Sequence, residues 1–217
     1  MGCIRKSETF YCVKGQLMIV LVLLSLSCTS QTDDTKANQS LSDKSEKILI
    51  VYLSRTNNTK AIAEIIHDNV GGTLVALVLK TPYPENYKAT VDQVAKENET
   101  GYLPPLKTTI ENIQQYDLVF VGFPTWGMQL PPPMKSFLTE YNLDGKMVVP
   151  FNTNAGYGLG SSIDKIEELC PNSTILEALS IKGGIERDGI LFVMEGEKEK
   201  QARLEVKAWL QKLKLLN

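Results

Sequence analysis

Between Ser54 and Lys60 the chain reads Ser-Arg-Thr-Asn-Asn-Thr-Lys, a short run crowded with hydroxyls, carboxamides and cations. These are hydrogen-bond donors, and the chemistry they suit is holding an anion. Just before them, Ile48-Leu-Ile-Val-Tyr-Leu53 is apolar and rich in β-branched residues, the pattern of a strand buried on both faces. Just after them, Ile62, Ile65, Ile66 and Val70 recur at helical spacing until Gly71-Gly72 ends the pattern. Strand, polar loop and helix start present backbone N–H groups and a positive helix end to a ligand. The spacing predicts a phosphate there, with Ser54, Thr56 and Thr59 adding hydroxyl donors. The loop lacks the Gly-Lys-Ser/Thr of a Walker motif and the Gly-x-Gly-x-x-Gly of a dinucleotide turn. A plain helix-capping loop is the competing reading.

Two later stretches set an aromatic among glycines and prolines. One is Phe123-Pro124-Thr125-Trp126-Gly127-Met128-Gln129-Leu130-Pro131-Pro132-Pro133. The other is Asn152-Thr153-Asn154-Ala155-Gly156-Tyr157-Gly158-Leu159-Gly160-Ser161. A single loop aromatic usually serves packing. Two of them on loops flanking an anion site suit a planar ring between Trp126 and Tyr157, each face gaining about 0.5–1.5 kcal/mol beyond area burial. The glycines of the second stretch have the wrong spacing for a dinucleotide motif.

The elements that must position these loops alternate. Apolar runs predict strands over 48–53, 73–79, 117–122, 146–151 and 174–181. Helical periodicity falls between them, at Ile62 to Val70, over 85–98, at Met134 to Tyr141, at Ile163 to Leu169 and at Ala202 to Leu213. Residues 106–115 are expected to add a helix after the Pro104-Pro105 break, and 189–194 to extend the fifth strand or form an edge hairpin. Such alternation predicts an α/β protein with a parallel sheet covered on both faces.

Composition narrows the function. Of 23 Lys and Arg and 25 Asp and Glu, Arg5, Lys6, Lys14 and Glu8 fall in the first 27 residues, so the remainder carries a net charge of −4. An acidic domain is a poor nucleic-acid binder. One histidine, His67, argues against a His-rich metal site or a Ser-His-Asp triad, and no metal ligand set or catalytic side chain is assigned. Cys170 stands before Pro171 late in a helical pattern, as a small buried hydrophobe would.

On these residues the chain resembles the flavodoxin family. The family's first-loop fingerprint is matched by Ile50-Val51-Tyr52-Leu53-Ser54, Asn58-Thr59 and Ala63, with Asn57 where a glycine is usual. Thr125-Trp126-Gly127 is similar to its second loop, and Tyr157 stands where its third loop brings a tyrosine. The resemblance implies a three-layer, doubly wound, five-stranded parallel sheet in the order 2-1-3-4-5, with FMN beyond the carboxyl ends of the strands. It implies Ser54, Arg55, Thr56, Asn57, Asn58 and Thr59 around the phosphate. It implies Pro124, Thr125, Trp126 and Gly127, then Asn154, Ala155, Gly156, Tyr157 and Gly158, around the ring, with the Gly127 peptide free to turn its carbonyl toward it. The implied role is electron transfer through bound flavin to a redox partner protein. The alternatives are an NAD(P)H-dependent quinone or nitro reductase and a membrane-tethered module that has lost FMN.

The first 46 residues carry an address. A basic stretch precedes Leu17 to Ser27, a largely apolar run eleven residues long, too short for the roughly 20 that span a bilayer. Leu24-Ser-Leu-Ser27-Cys28 resembles a bacterial lipoprotein box, with Cys28 lipidated. Residues 1–27 are therefore expected to be a signal peptide, 28–46 a lipidated cysteine and polar tether, and 47–217 the domain. The expected location is the bacterial cell envelope, exported and attached to the membrane through the lipid only, with the membrane face left open.

Overall fold

The computed structural model describes residues 47–216. The signal peptide, tether and Cys28 lie outside the described residues. β1 (Ile48–Tyr52) lies inside the sheet, flanked by β2 (Thr73–Ala76) and β3 (Leu118–Pro124), with β4 (Met147–Asn154) beyond β3. All pairings are parallel, and the order is 2-1-3-4-5. Alternate residues of each strand face opposite sides, so Leu49, Val51, Val119 and Val121 enter one core while Ile50, Leu118 and Phe120 enter the other.

One core takes Ile62, Ile65 and Ile66 from α1 (Asn58–Val70) and Ala202, Val206, Trp209 and Leu210 from α5 (Gly196–Lys212). The other takes Met134 and Phe137 from α3 (Pro132–Glu140) and Ile166 from α4 (Ser162–Leu169). The remaining helix, α2 (Tyr87–Thr100), gives no residue to either core. Its inward face does something else.

The fifth strand position is broken. Instead of one run over 174–181, β5 (Thr174–Ile175) and β6 (Leu179–Lys182) both pair with β4. Val148 faces Ile175 but Phe151 faces Leu179, so the outer strand gains one residue between them. The cause is Pro150. The Leu176 N–H still reaches Val148 O at 2.9 Å. Position 150 must supply the next bond toward this strand, and proline has no N–H to give. The outer strand bulges there, and the Trp209 Nε1–H donates to Glu177 O in the gap at 2.9 Å.

Two other expectations are corrected. β2 ends at Ala76 rather than Leu79, because Val78 and Lys80 turn to bond Lys107, Thr108 and Pro105. Those bonds draw 106–108 into extended structure. Of the helix expected over 106–115, only a 3-10 turn at Ile113–Gln115 forms. Residues 189–194 neither extend the fifth strand nor form a hairpin of strands. An isolated bridge between Ile185 and Ile190 closes a loop over the 3-10 turn Glu186–Asp188, and the chain continues as a strap beside the first loop.

Candidate functional site

The loops after β1, β3 and β4 meet at the carboxyl edge of the sheet around a cavity of about 580 Å³. From the first loop, Arg55, Thr56, Asn58 and Thr59 stand on its wall. The second brings Pro124, Thr125, Trp126 and Gly127, and the third Asn154, Ala155 and Tyr157. Ser54, Asn57, Gly156 and Gly158 belong to the same loops but are not among the lining residues.

The first loop is built for an anion. Asn57 adopts the left-handed conformation, φ 64°, and its side chain makes no capping bond. Among the described residues, no backbone N–H from Ser54 to Lys60 donates to another protein group. The buried Ser54 hydroxyl oxygen also lacks a partner. A buried hydroxyl is seldom left so, and beside a run of open N–H groups at a helix start it fits a phosphate. Thr56 Oγ1 accepts from Asn58 Nδ2 at 2.8 Å, so its own proton remains free to donate.

Asparagine at position 57 is tolerated because a short polar side chain strains least at positive φ among non-glycine residues. Asn57→Gly is expected to leave stability within about 0.5 kcal/mol, whereas Asn57→Val costs about 1–2 kcal/mol. Urea midpoints of the two variants check this, and equal midpoints would refute it.

Two first-loop side chains also brace distant parts of the chain. The Arg55 guanidinium donates from Nε to Glu186 at 2.7 Å and from its two Nη atoms to Pro84 O at 3.0 Å and Glu85 O at 2.6 Å. It fastens the loop to two distant segments while standing on the cavity wall. Asn58 is buried and clamps the strap, donating to Leu191 O at 2.6 Å and accepting from the Val193 N–H at 3.1 Å. Thr59 Oγ1 shares a hydrogen bond with Thr153 Oγ1 at 2.8 Å, tying the first loop to β4.

In the second loop, Trp126 and Gln129 exchange both backbone bonds, at 3.3 and 3.2 Å, around Gly127 and Met128. Both turn residues have positive φ, 57° and 60°, the type I′ geometry of a two-residue hairpin. A methionine there is strained, as functional loops often are. Trp126 is half-buried and meets Tyr83 edge-on, centroids 5.4 Å apart. Tyr83 in turn donates its phenol proton to buried Glu97 of α2. Burial first, then that carboxylate, hold the Tyr83 phenol far above its ordinary pKa.

The third loop is preorganised by Asn154. Its Oδ1 accepts from the Gly156 N–H at 2.8 Å and the Gly158 N–H at 3.0 Å. Its Nδ2 donates to Asn152 Oδ1 and Ser180 Oγ, both at 3.0 Å. Thr125 Oγ1 donates to Gly158 O at 2.6 Å, joining the second loop to the third. Tyr157 itself is 65 % exposed, so only the Trp126 side of a ring slot is walled in protein.

Sequence reasoning missed half of the wall. Thr90, Val91, Val94, Ala95 and Asn98 of α2 line the cavity, as do residues 183–187 at the root of the strap. The signal was present in α2, where a three-and-four-residue stripe never joins either core. Nothing local marked the strap.

A parallel sheet whose carboxyl edge joins an amide-lined loop to two aromatic loops defines a doubly wound α/β protein with a cavity at the edge where such folds bind ligands. A family model described as flavodoxin matches residues 47–195, and the chain belongs to the flavodoxin family. No curated protein matches it. Among solved structures, a candidate flavoprotein from Bacteroides eggerthii is 28 % identical, with TM-score 0.61 over 76 % of this chain and 96 % of that one. A second, from Bacteroides uniformis, shares the fold at 20 % identity, TM-score 0.62, over 76 % and 98 % of the two chains. A flavoprotein from Lactobacillus acidophilus, solved in complex with FMN, shares it at 21 % identity, TM-score 0.55, over 62 % and 93 %.

Proposed function

We propose that this chain binds FMN at the carboxyl edge of its sheet and serves as a redox protein. The observation that carries the reading is the run of unpartnered N–H groups from Ser54 to Lys60 with the orphaned Ser54 hydroxyl beside it. FMN, when bound, supplies one- and two-electron chemistry. The chain's own residues do the rest. The loop from Ser54 to Thr59 grips the phosphate through amides and the Thr56 hydroxyl. Trp126, held by Tyr83, sets one face of the ring, and Tyr157 closes on the other. The carboxamide of Asn154 holds its loop open so that nearby backbone atoms reach the ring's polar edge. A flavin-less module would leave the buried Ser54 hydroxyl without a partner.

Electron transfer with a partner protein is one form of this function. Reduction of a small acceptor with NAD(P)H is the second, favoured by the cavity's extension along α2 beyond the three loops. We further propose lipidation at Cys28, which would hold the domain at a membrane of the cell envelope.

The test is direct. Purified protein is expected to be yellow, or to take up FMN with quenching of flavin fluorescence, and to prefer FMN over riboflavin. Failure to take up FMN would refute the reading. Bleaching of the bound flavin by NADPH alone marks a reductase, and bleaching only through a second protein marks a carrier.

A further inference from the structure

The far end of the cavity, away from the first loop, lies between the last turns of α2 and the Trp126 hairpin. Its wall there is Val94, Ala95, Asn98 and Gln129. Behind that wall sits Lys135 of α3. Its Nζ donates to Asn98 Oδ1 at 2.8 Å and to Gln129 Oε1 at 2.9 Å. An ammonium group has donors only. Both carboxamides must therefore turn their oxygens to Lys135, and each must present its NH₂ group elsewhere. Among the described residues, neither Asn98 Nδ2 nor Gln129 Nε2 has a protein acceptor. Both residues line the cavity, so a pair of oriented donors stands with Trp126 on a wall that also carries Val91, Val94 and Ala95.

This arrangement recognises oxygen acceptors on a flat, apolar body. Val91, Val94 and Ala95 offer van der Waals contact along the helix, and the two NH₂ groups offer hydrogen bonds at its end. Glu99 on the same wall disfavours a second anion. Resting on the FMN reading, we infer that Asn98 and Gln129, oriented by Lys135, form a second subsite for an uncharged planar carbonyl compound of the quinone class. Asn98 and Gln129 are its contact residues, and Lys135 is a positioning residue. Burial, and next repulsion from Lys165, pull the Lys135 ammonium below its ordinary pKa, partly offset by Glu168.

The probe is menadione, titrated calorimetrically into the FMN-loaded full chain. Asn98→Asp and Gln129→Glu keep the oxygen that faces Lys135 while replacing the donor with an acceptor, so folding is preserved. Each is expected to weaken menadione binding about tenfold or more, because a carbonyl would then face an oxygen, while FMN affinity stays within about twofold. Lys135→Met is expected to weaken menadione by roughly threefold, and Lys135→Arg to restore it. Three results would overturn the inference. One is no menadione binding by the loaded wild type. Another is equal menadione affinity in wild type, Asn98→Asp and Gln129→Glu. The third is a loss of FMN affinity with menadione unaffected, which would assign the donors to the flavin. If the wild type takes up no FMN, it is the functional reading above that fails. Menadione titrated into the colourless chain then decides the subsite alone, with the same tenfold contrast expected, since none of its residues belongs to the first loop.

Discussion

Gly122→Ala is expected to destabilise the protein by about 3 kcal/mol, near the upper end of what one extra methyl costs in a packed core. Gly122 lies in β3 opposite Phe151 of β4, and the phenyl ring folds across the space a side chain would occupy. A Cβ built on Gly122 would stand 2.1 Å from Phe151 Cζ and 2.4 Å from Cε2. No pair of carbons tolerates that. The ring has nowhere to retreat, because Phe151 is fully buried among Phe120, Val149 and Ile181. At this chain length the cost corresponds to a fall in Tm of roughly 6–12 °C. Urea denaturation measures it. The double variant Gly122→Ala with Phe151→Leu tests the cause, since Leu lacks the far ring atoms. The two changes are expected to couple by at least about 1 kcal/mol relative to their sum. A single variant within about 0.5 kcal/mol of wild type would show that Phe151 moves aside freely, contrary to the packing described.

Thr56→Asp is expected to weaken FMN binding by about 100-fold while changing riboflavin binding by less than about threefold. Thr56 lines the cavity, and its hydroxyl proton is free because the oxygen already accepts from Asn58. Replacing it removes a donor and sets a carboxylate beside a phosphate of charge near −2. At an effective dielectric of about 20, two unit charges about 4 Å apart repel by roughly 4 kcal/mol. Partial solvent screening brings this near the 2.7 kcal/mol of a 100-fold change. Riboflavin has the same ring and no phosphate, so it separates loss of the anion site from general damage. Fluorescence titration of the flavin-free protein gives both constants. Equal losses for FMN and riboflavin would place the phosphate elsewhere.

The parts of this protein legible in its sequence are those fixed by short-range physics. Unbroken apolar runs such as Ile48 to Leu53 state that a strand is buried on both faces, because only a covered parallel sheet dries both sides. Ile62, Ile65 and Ile66 state which side of α1 is inward. Asn57 states a backbone turn through its own tolerance of positive φ. Once strand and helix alternate, right-handed crossovers bring the loops after β1, β3 and β4 to one edge, so the loops bearing Thr56, Trp126 and Tyr157 could be assembled without coordinates.

What the tertiary structure alone decided rests on contacts between residues far apart in the chain, which no local period encodes. Arg55 stands on the cavity wall and also meets Glu186, 131 positions away. Asn58 holds Leu191, 133 positions away, and so makes a wall of a segment with no pattern of its own. Residues 106–108 have helical periodicity but lie extended, because Val78 offered them a strand partner. The fifth strand reads as continuous and breaks because Pro150, on its neighbour, withholds one hydrogen bond. The identity of the binding loops follows from local sequence, since backbone geometry is a local property. The shape and polarity of the cavity between them do not, since each wall exists only where the chain returns to meet it.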